Sequence, residues 1–301
     1  MKHVFILNPV SGKGKAKRFI PVINEYFTQH PDMQYEIIIT EFHRHATAIA
    51  KKFTEKDDVC LYACGGDGTA NEVLEGLNPG VGIAVIPGGT GNDFFKSIDD
   101  RKLTDAEMIA AVVEGEDHMI DMGIANGHRF MNIISFGIDA DINVYACDYV
   151  KVETKIPDNL VYAYSALKVG THPQRIHMDM TVDGNQFTKD AIMVAVSNGR
   201  WYGSIFKPAP LADIEDGHFD ICMFGMMNFP RLAYLLTRYS KGTHVTAKEC
   251  EMMTGGKIDI KFDRPVNLQV DGENLKTEEV HIQIYPRSLR YRMPRARQPR
   301  L

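Results

Sequence analysis

The first half of the chain alternates between two periodicities, and few folds accept that pattern. Short apolar runs at Val4–Leu7, Tyr35–Ile39, Val59–Ala63 and Ile83–Ile86 have the length of strands buried on both faces. Between them Ala46, Ile49, Ala50 and Phe53 fall at i, i+3, i+4 and i+7, and Ala70, Val73, Leu74 and Leu77 repeat the spacing. Each such segment can lay one helical face on a sheet. Strand, helix, strand, helix predicts a parallel sheet with right-handed crossovers, an α/β domain.

From about residue 120 the punctuation changes. Short alternating runs are joined by Asn126-Gly127, Asp183-Gly184, Asp216-Gly217 and Asp271-Gly272, pairs that tolerate the positive φ of tight hairpins. This half predicts a mostly antiparallel β domain, a sandwich or barrel, with helices near Asn159–Val169 and Arg231–Lys241. The expected division is an α/β domain over 1–124 and a β-rich domain over 125–285. A basic segment over 286–301 follows the strand Val280–Tyr285 and could return to the first domain.

With 301 residues, 44% of them hydrophobic and 24% charged, there is material for two cores, and disorder is excluded as the main state. The longest apolar stretches, Gly82–Pro87 and Ala191–Val196, fall far short of the ~18 residues of a membrane-spanning helix. After Met1-Lys2-His3 the apolar run stops at Asn8-Pro9, too early for a secretory signal, so a cytoplasmic protein is expected. Cys60, Cys64, Cys147, Cys222 and Cys250 form no CxxC pair, which argues for buried thiols and against a disulfide framework or a zinc site. The formal net charge of −5 hides an asymmetry: residues 286–301 hold six arginines and no acid, leaving −11 on the rest.

Three glycine-bearing loops follow predicted strands of the first domain: Asn8-Pro9-Val10-Ser11-Gly12, Gly65-Gly66-Asp67-Gly68-Thr69 and Pro87-Gly88-Gly89-Thr90-Gly91-Asn92-Asp93. Ligands of open α/β sheets collect at that edge. Glycines let backbone N–H groups approach an anion, and a helix starting at Thr69 would add its positive end, so the set predicts a polyphosphate site. Glycine at a single strand-to-helix turn is often needed for geometry alone; three at one edge carry the reading. Neither GxxxxGK[ST] nor GxGxxG is present, which disfavours both common nucleotide-binding loops. Lys13, Lys15, Lys17 and Arg18 are either phosphate contacts or a solvated basic face. Asp67, a carboxylate among glycines, suits Mg²⁺ or its water shell, with a helix N-cap as the competing role.

In this order and at these intervals, Asn8–Gly12, Gly65–Glu72 and Pro87–Phe94 resemble the diacylglycerol kinase catalytic domain, most nearly its soluble bacterial lipid kinases. The resemblance spans essentially the whole chain. It implies a nucleotide-binding domain similar to those of NAD kinase and phosphofructokinase, followed by a β-rich domain, with ATP between them. It further implies that ATP is contacted by Asn8, Pro9, Val10, Ser11 and Gly12, by Gly65, Gly66, Asp67, Gly68, Thr69, Ala70, Asn71 and Glu72, and by Thr40, Gly89, Thr90 and Asn92. Asp121 matches a family acid linked through metal and water to the position of Asp67.

Asp213-Ile214-Glu215-Asp216-Gly217-His218-Phe219-Asp220 resembles the family's structural Mg²⁺ loop, which would use a side-chain oxygen of Asp216 and backbone oxygens of Asp213 and His218. Without the resemblance it reads as an Asp-Gly hairpin with an acidic rim. Val270-Asp271-Gly272-Glu273 resembles the segment that supplies the general base, a carboxylate taking the proton of the lipid hydroxyl as the γ-phosphoryl group moves. Glu273 is the expected base. Asp271 ranks second, because it also precedes Gly272 in a turn. Tyr202-Gly203-Ser204-Ile205 departs from the family's longer glycine run.

The implied activity is an ATP- and Mg²⁺-dependent lipid kinase acting on a neutral lipid, diacylglycerol first. The alternatives are an NAD kinase-like small-molecule kinase and a non-catalytic lipid-binding regulator. The implied partner is a membrane lipid reached by transient contact with the inner face of the membrane; a homodimer fits the family, and nucleic acid does not. The six tail arginines could attract anionic headgroups at up to ~1 kcal/mol each, or simply pair with the acidic body. Phe94, Phe95 and the run Leu160–Val169 are candidates for an acyl-chain groove, with core packing as the competing role.

Overall fold

A computed structural model describes residues 1–146 and 158–296. The chain divides into two compact units: Met1–Met122 with the segment from Pro286 onward, and Gly123–Tyr285.

In the first unit β1 (Lys2–Leu7), β2 (Tyr35–Ile39), β3 (Val59–Gly65) and β4 (Gly82–Pro87) form a parallel sheet in the order β4-β3-β1-β2. The central strands are buried at almost every position, as their unbroken apolar runs require, whereas β2 lies at the sheet edge with Tyr35, Glu36 and Ile39 exposed, a correction to its expected burial on both faces. The crossovers carry α1 (Phe19–Gln29), α2 (His45–Ala50) and α3 (Asp67–Gly76), and α4 (Asp93–Ile98) and α5 (Asp105–Val113) follow β4. Two helix boundaries differ from the periodicity. The α2 helix stops at Ala50, short of Phe53, and α3 begins at Asp67, two residues before Thr69. Helix α3 packs against α2 through Gly76, where a Cβ would lie 2.3 Å from the Thr47 carbonyl oxygen, so only glycine permits this approach.

The next elements are β5 (Glu116–Ala125), β6 (His128–Phe130), β7 (Ile133–Gly137), α6 (Ile138–Tyr145) and α7 (Asp158–Gly170). They are followed by β8 (Ile176–Val182), β9 (Asn185–Ala191), β10 (Met193–Ser197), β11 (Phe219–Phe224) and α8 (Phe229–Lys241). The last strands are β12 (Cys250–Gly255), β13 (Lys257–Val270) and β14 (Glu273–Met293). In the second unit the order β12-β11-β10-β7-β13-β14 is antiparallel throughout. Strand β13 also pairs with β8 along its first half, and its register with β14 slips between Lys261 and Val266. Pro265 sits in that slip, where a residue without an N–H belongs. Alternation along β8 buries Ile176, Met178, Met180 and Val182 in one core with Phe136, Phe219 and Ile260. A second core on the other face joins Cys222 and Phe224 to Leu232, Leu235 and Tyr239 of α8.

The expected fold class, an α/β domain followed by an antiparallel β-sandwich, is the one observed. One turn is not. Asp216-Gly217 joins no two strands and lies in the long loop before β11.

The basic segment is strand for half its length. Strand β14 continues to Met293 and sets Tyr291 beside Ile83 of β4 in parallel. Its arginines find acids within the first unit: Arg290 and Arg292 both bind Asp117, at 2.6 and 2.8 Å, and Arg295 binds Glu114 at 2.7 Å. The Arg292 guanidinium also donates to the Val113 carbonyl. Of the two roles open to the segment, these three arginines take the return to the first unit and pairing with its acids, not headgroup docking. Arg297 and Arg300 lie outside the described residues, as does Cys147. Phe94 and Phe95 are core residues with 2% and 3% exposure, Phe94 standing edge-on to Tyr291, so they line no acyl groove. On α7, Val161 is buried while Tyr164 and Leu167 face solvent; the side chain of Leu160 is outside the described residues. No helix among the described residues is long and apolar enough to cross a membrane.

Candidate active site

The three glycine loops of the first unit interlock backbone against backbone. A Cβ on Gly12 would lie 2.4 Å from the Gly88 carbonyl oxygen, and one on Gly89 would lie 2.4 Å from the Gly66 Cα. The Gly88 N–H donates to the Gly65 carbonyl at 2.8 Å. These glycines are demanded by close approach, and Gly12 by its φ of 58° as well. Lys13 and Gly14 continue the left-handed stretch, at φ 60° and 88°.

Polar side chains then lock the loops. Asn8 donates through Nδ2 to Thr69 Oγ1 at 3.1 Å and accepts from the Val10 N–H at 3.1 Å, tying the first loop to the start of α3. Asn92, itself left-handed at φ 54°, accepts from the Gly89 N–H through Oδ1 and returns a bond from Nδ2 to the Gly89 carbonyl. Asp67 bridges the second loop to the third: its Oδ1 accepts from the N–H groups of Asp93 at 2.8 Å and Phe94 at 3.4 Å, at the first turn of α4. Burial pushes the Asp67 carboxyl up from its ordinary value, and the N–H groups of Phe94, Asp93 and Asn92 pull it back. Asp67 is therefore not the N-cap of its own helix, a place held by Gly66.

What remains open is the start of α3. The first N–H groups of a helix have no intrahelical acceptor, and the space beside Gly68 is empty: a Cβ on that residue would meet nothing within 4 Å. Ser11, Pro9 and Gly66 are half-exposed, and Val10 and Thr90 face solvent. Asn71 is 2% exposed and its Oδ1 has no hydrogen-bond partner among the described residues. Ala70 is buried against the sheet, and Glu72 pairs with His43 at 3.3 Å. Thr40 is buried at the end of β2, its N–H on the Leu7 carbonyl at 2.9 Å. Asp121 is fully buried and its Oδ1 accepts from the Arg287 N–H at 2.7 Å, which fixes the entry of β14 into this unit.

In the second unit Asp271 turns the β13–β14 hairpin at φ 44°. Its carboxylate is clasped by consecutive N–H groups: Met131 at 2.8 Å on Oδ2, Ile133 at 2.8 Å on Oδ1, and Asn132 shared between them. Glu273 opens β14 half-exposed, and its carboxylate makes no hydrogen bond or ion pair among the described residues. The acidic loop closes on itself through Asp213 Oδ1, which accepts from the Glu215 N–H, and Asp216 Oδ1, which accepts from the His218 N–H. Asp213 is exposed, and Asp216 and His218 lie at the surface of the same loop. The Asp220 carboxyl beside them is pushed up by burial and by the charge of Asp216, a crowding of negative charge that a hard cation would relieve.

One polar cluster carries no motif in the sequence. Tyr202, whose segment departs from the glycine run, places its hydroxyl 3.2 Å from Ser135 Oγ and on Gln269, the residue opposite Ser135 in the sheet. Asp139, in the first turn of α6, lies under them; burial pushes its carboxyl up to about 6 against the hydroxyls of Ser135 and Tyr202 and the N–H of Ala140. The only sequence signal was the odd Tyr202-Gly203 segment, since a carboxylate early in a helix is commonplace.

Residues 2–125 match the family model of the diacylglycerol kinase catalytic domain, and residues 132–292 match that of the YegS C-terminal NAD kinase beta sandwich-like domain. A diacylglycerol kinase of Staphylococcus carnosus is 26% identical over 295 residues, covering 93% of each chain. One of Bacillus subtilis is 25% identical over 271 residues, covering 89% of this chain and 88% of its own. Among solved structures, a diacylglycerol kinase of Bacillus anthracis superposes with a TM-score of 0.70 at 20% identity, over 97% of this chain and 96% of that one, which speaks to the fold.

Proposed function

This chain belongs to the diacylglycerol kinase catalytic-domain family, and from that premise we propose that it transfers the γ-phosphoryl group of ATP to the hydroxyl of a neutral lipid, diacylglycerol, giving phosphatidate. The observation that carries the reading is the interlocked set of glycine loops around the open start of α3. A triphosphate is recognised there by backbone N–H groups and the positive helix end, with Asn8, Ser11, Gly12, Gly66, Gly68 and Thr90 around it. Asn71 Oδ1, buried and without a partner among the described residues, supports a donor or cation arriving at the same place.

Holding donor and acceptor in line is most of what phosphoryl transfer asks of a protein. The loops are suited to it because their side-chain locks are satisfied before ligand arrives. Glu273 accepts the proton of the lipid hydroxyl; its uncommitted carboxylate favours that role over Asp271, whose lone pairs are engaged by three N–H groups. A structural Mg²⁺ would be held by Asp216 with the backbone oxygens of Asp213 and His218, and a separate Mg²⁺ at the phosphates by the acids Asp67 and Asp121, where it would neutralise charge on the transferring phosphate. Contact with the lipid is peripheral.

Radiolabelled ATP offered with a panel of hydroxylated lipids in mixed micelles, and with NAD as a soluble acceptor, tests the reading. Label in phosphatidate supports it. Label in NAD alone replaces the lipid by a small-molecule acceptor, and no transfer with ATP bound favours a non-catalytic protein.

A further inference from the structure

The second unit brings two cysteines and a histidine together, none of them among the proposed kinase residues. Cys222 lies in the middle of β11 and Cys250 opens β12; in the antiparallel register Cys222 faces Met252 and Phe224 faces Cys250, so the thiols sit two rungs apart, a diagonal pair on one face of the sheet. Their sulfurs are 3.7 Å apart. The histidine is delivered by the end of α8, where Gly242 at φ 71° stops the helix and the turn His244–Thr246 follows. The two sulfurs and a ring nitrogen of His244 all lie within 4.8 Å of one another.

The imidazole is prepared as a ligand. His244 is fully buried, and its Nε2 stands 3.1 Å from the Pro208 carbonyl oxygen, which can only accept. Nε2 therefore carries the hydrogen, and Nδ1 keeps a lone pair, buried and without a hydrogen-bond partner among the described residues. Carbonyl support of the second nitrogen is how metal-bound imidazoles are oriented. The Tyr239 hydroxyl is also buried without a partner among the described residues, and its ring stands edge-on to the imidazole at 4.8 Å.

We propose that Cys222, Cys250 and His244 bind one Zn²⁺ as a structural clip between β11, β12 and the turn after α8. Zinc binds thiolate at about 2.3 Å in tetrahedral geometry, which sets two sulfurs about 3.8 Å apart, and the sulfurs here are at 3.7 Å. Two soft thiolates and an imidazole select Zn²⁺ over the hard Mg²⁺ of the kinase reaction. On binding, both thiols release their protons to solvent and the sulfurs donate to the metal; water or the Tyr239 hydroxyl takes the fourth position. Cys250 is half-exposed, which leaves the ion a way in.

The full-length chain, reduced and stripped of metal, is titrated with Zn²⁺ against a chromophoric chelator and separately with Co²⁺. One equivalent should bind, with the visible absorption of tetrahedral cobalt and a near-ultraviolet thiolate-to-cobalt band, and zinc should raise the thermal midpoint. Cys250→Ala and His244→Gln should lose the equivalent and the bands, while Cys64→Ala, in the first unit, keeps both. Cys250→Ala decides if the histidine variant fails to fold, because Cys250 begins its strand at the surface edge of the core. Absence of competitive binding by the reduced wild type, six-coordinate cobalt spectra, or full binding by Cys250→Ala would each overturn the proposal.

Discussion

Replacing Asp271 by asparagine separates two roles that its motif runs together. The carboxylate accepts from Met131 on one oxygen and from Ile133 on the other, with Asn132 between. Asparagine has the same shape and accepts the left-handed φ of 44°. Whichever way its amide is turned, however, its NH₂ meets an N–H that has lost its acceptor. Losing one charge-assisted bond and leaving that buried donor unmet costs about 2–4 kcal/mol. Asp271→Asn should therefore lower the urea unfolding free energy of the second unit by that amount, followed by far-ultraviolet circular dichroism. Phosphatidate formation per folded molecule should stay within a few-fold of wild type. Glu273→Gln should do the reverse, moving stability by less than about 0.5 kcal/mol and slowing transfer about 10²- to 10⁴-fold. A fully stable, inactive Asp271→Asn beside an active Glu273→Gln would refute the assignment of the base and make the N–H clasp incidental.

Gly12→Ala must force a side chain into φ 58° and within 2.4 Å of the Gly88 oxygen; the loops should part and ATP affinity fall at least about tenfold by calorimetry, equivalent to about 1.4 kcal/mol. Arg292→Ala removes a partner of Asp117 and two bonds to the Val113 carbonyl, so it should lower stability by about 1–3 kcal/mol. Its vesicle sedimentation should be unchanged, and loss of vesicle binding without loss of stability would restore the docking role. Asp139 holds a proton in the fold up to about pH 6, whereas a free carboxyl near 3.8 has released it. The folded state thus binds more protons between about pH 4 and 6, and stability falls as pH rises through that window, by an upper bound of about 3 kcal/mol. Asp139→Asn should flatten that slope in urea midpoints taken across the window, and an unaltered slope would place the burden on another group.

The parallel sheet was legible because β1, β3 and β4 announce burial on both faces, which β2 at the edge does not have, and its loops need glycine for contact, as Gly12 and Gly89 do. Residues whose role depends on distant backbone were not legible. The sequence left the basic segment open between a return to the first domain and a docking tail, and nothing local named Asp117 and Glu114 as the acids that Arg290, Arg292 and Arg295 meet. Phe94 and Phe95 take core packing, the role that competed with an acyl groove in the sequence. Cys222, His244 and Cys250 have no motif spacing, because a strand register and a helix end bring them together, and neither is written in local periodicity.

The acids singled out by motif share a property that bears on how mutants should be read. Asp67, Asp121 and Asp271 each accept backbone N–H groups from a segment remote in sequence: the start of α4, the re-entry of β14, and residues 131–133. Alanine at any of them frees buried donors as well as removing a charge, so loss of activity in Asp67→Ala would follow from a displaced third loop as readily as from a missing metal ligand. Asp67→Asn is the sharper probe, because its Oδ1 can still accept from Asp93 while the charge is gone. If Asp67 serves only to anchor the loop, this variant should keep ATP affinity and turnover near wild type. If it also faces Mg²⁺, turnover should fall and recover in part as Mg²⁺ concentration is raised, with unfolding midpoints unchanged.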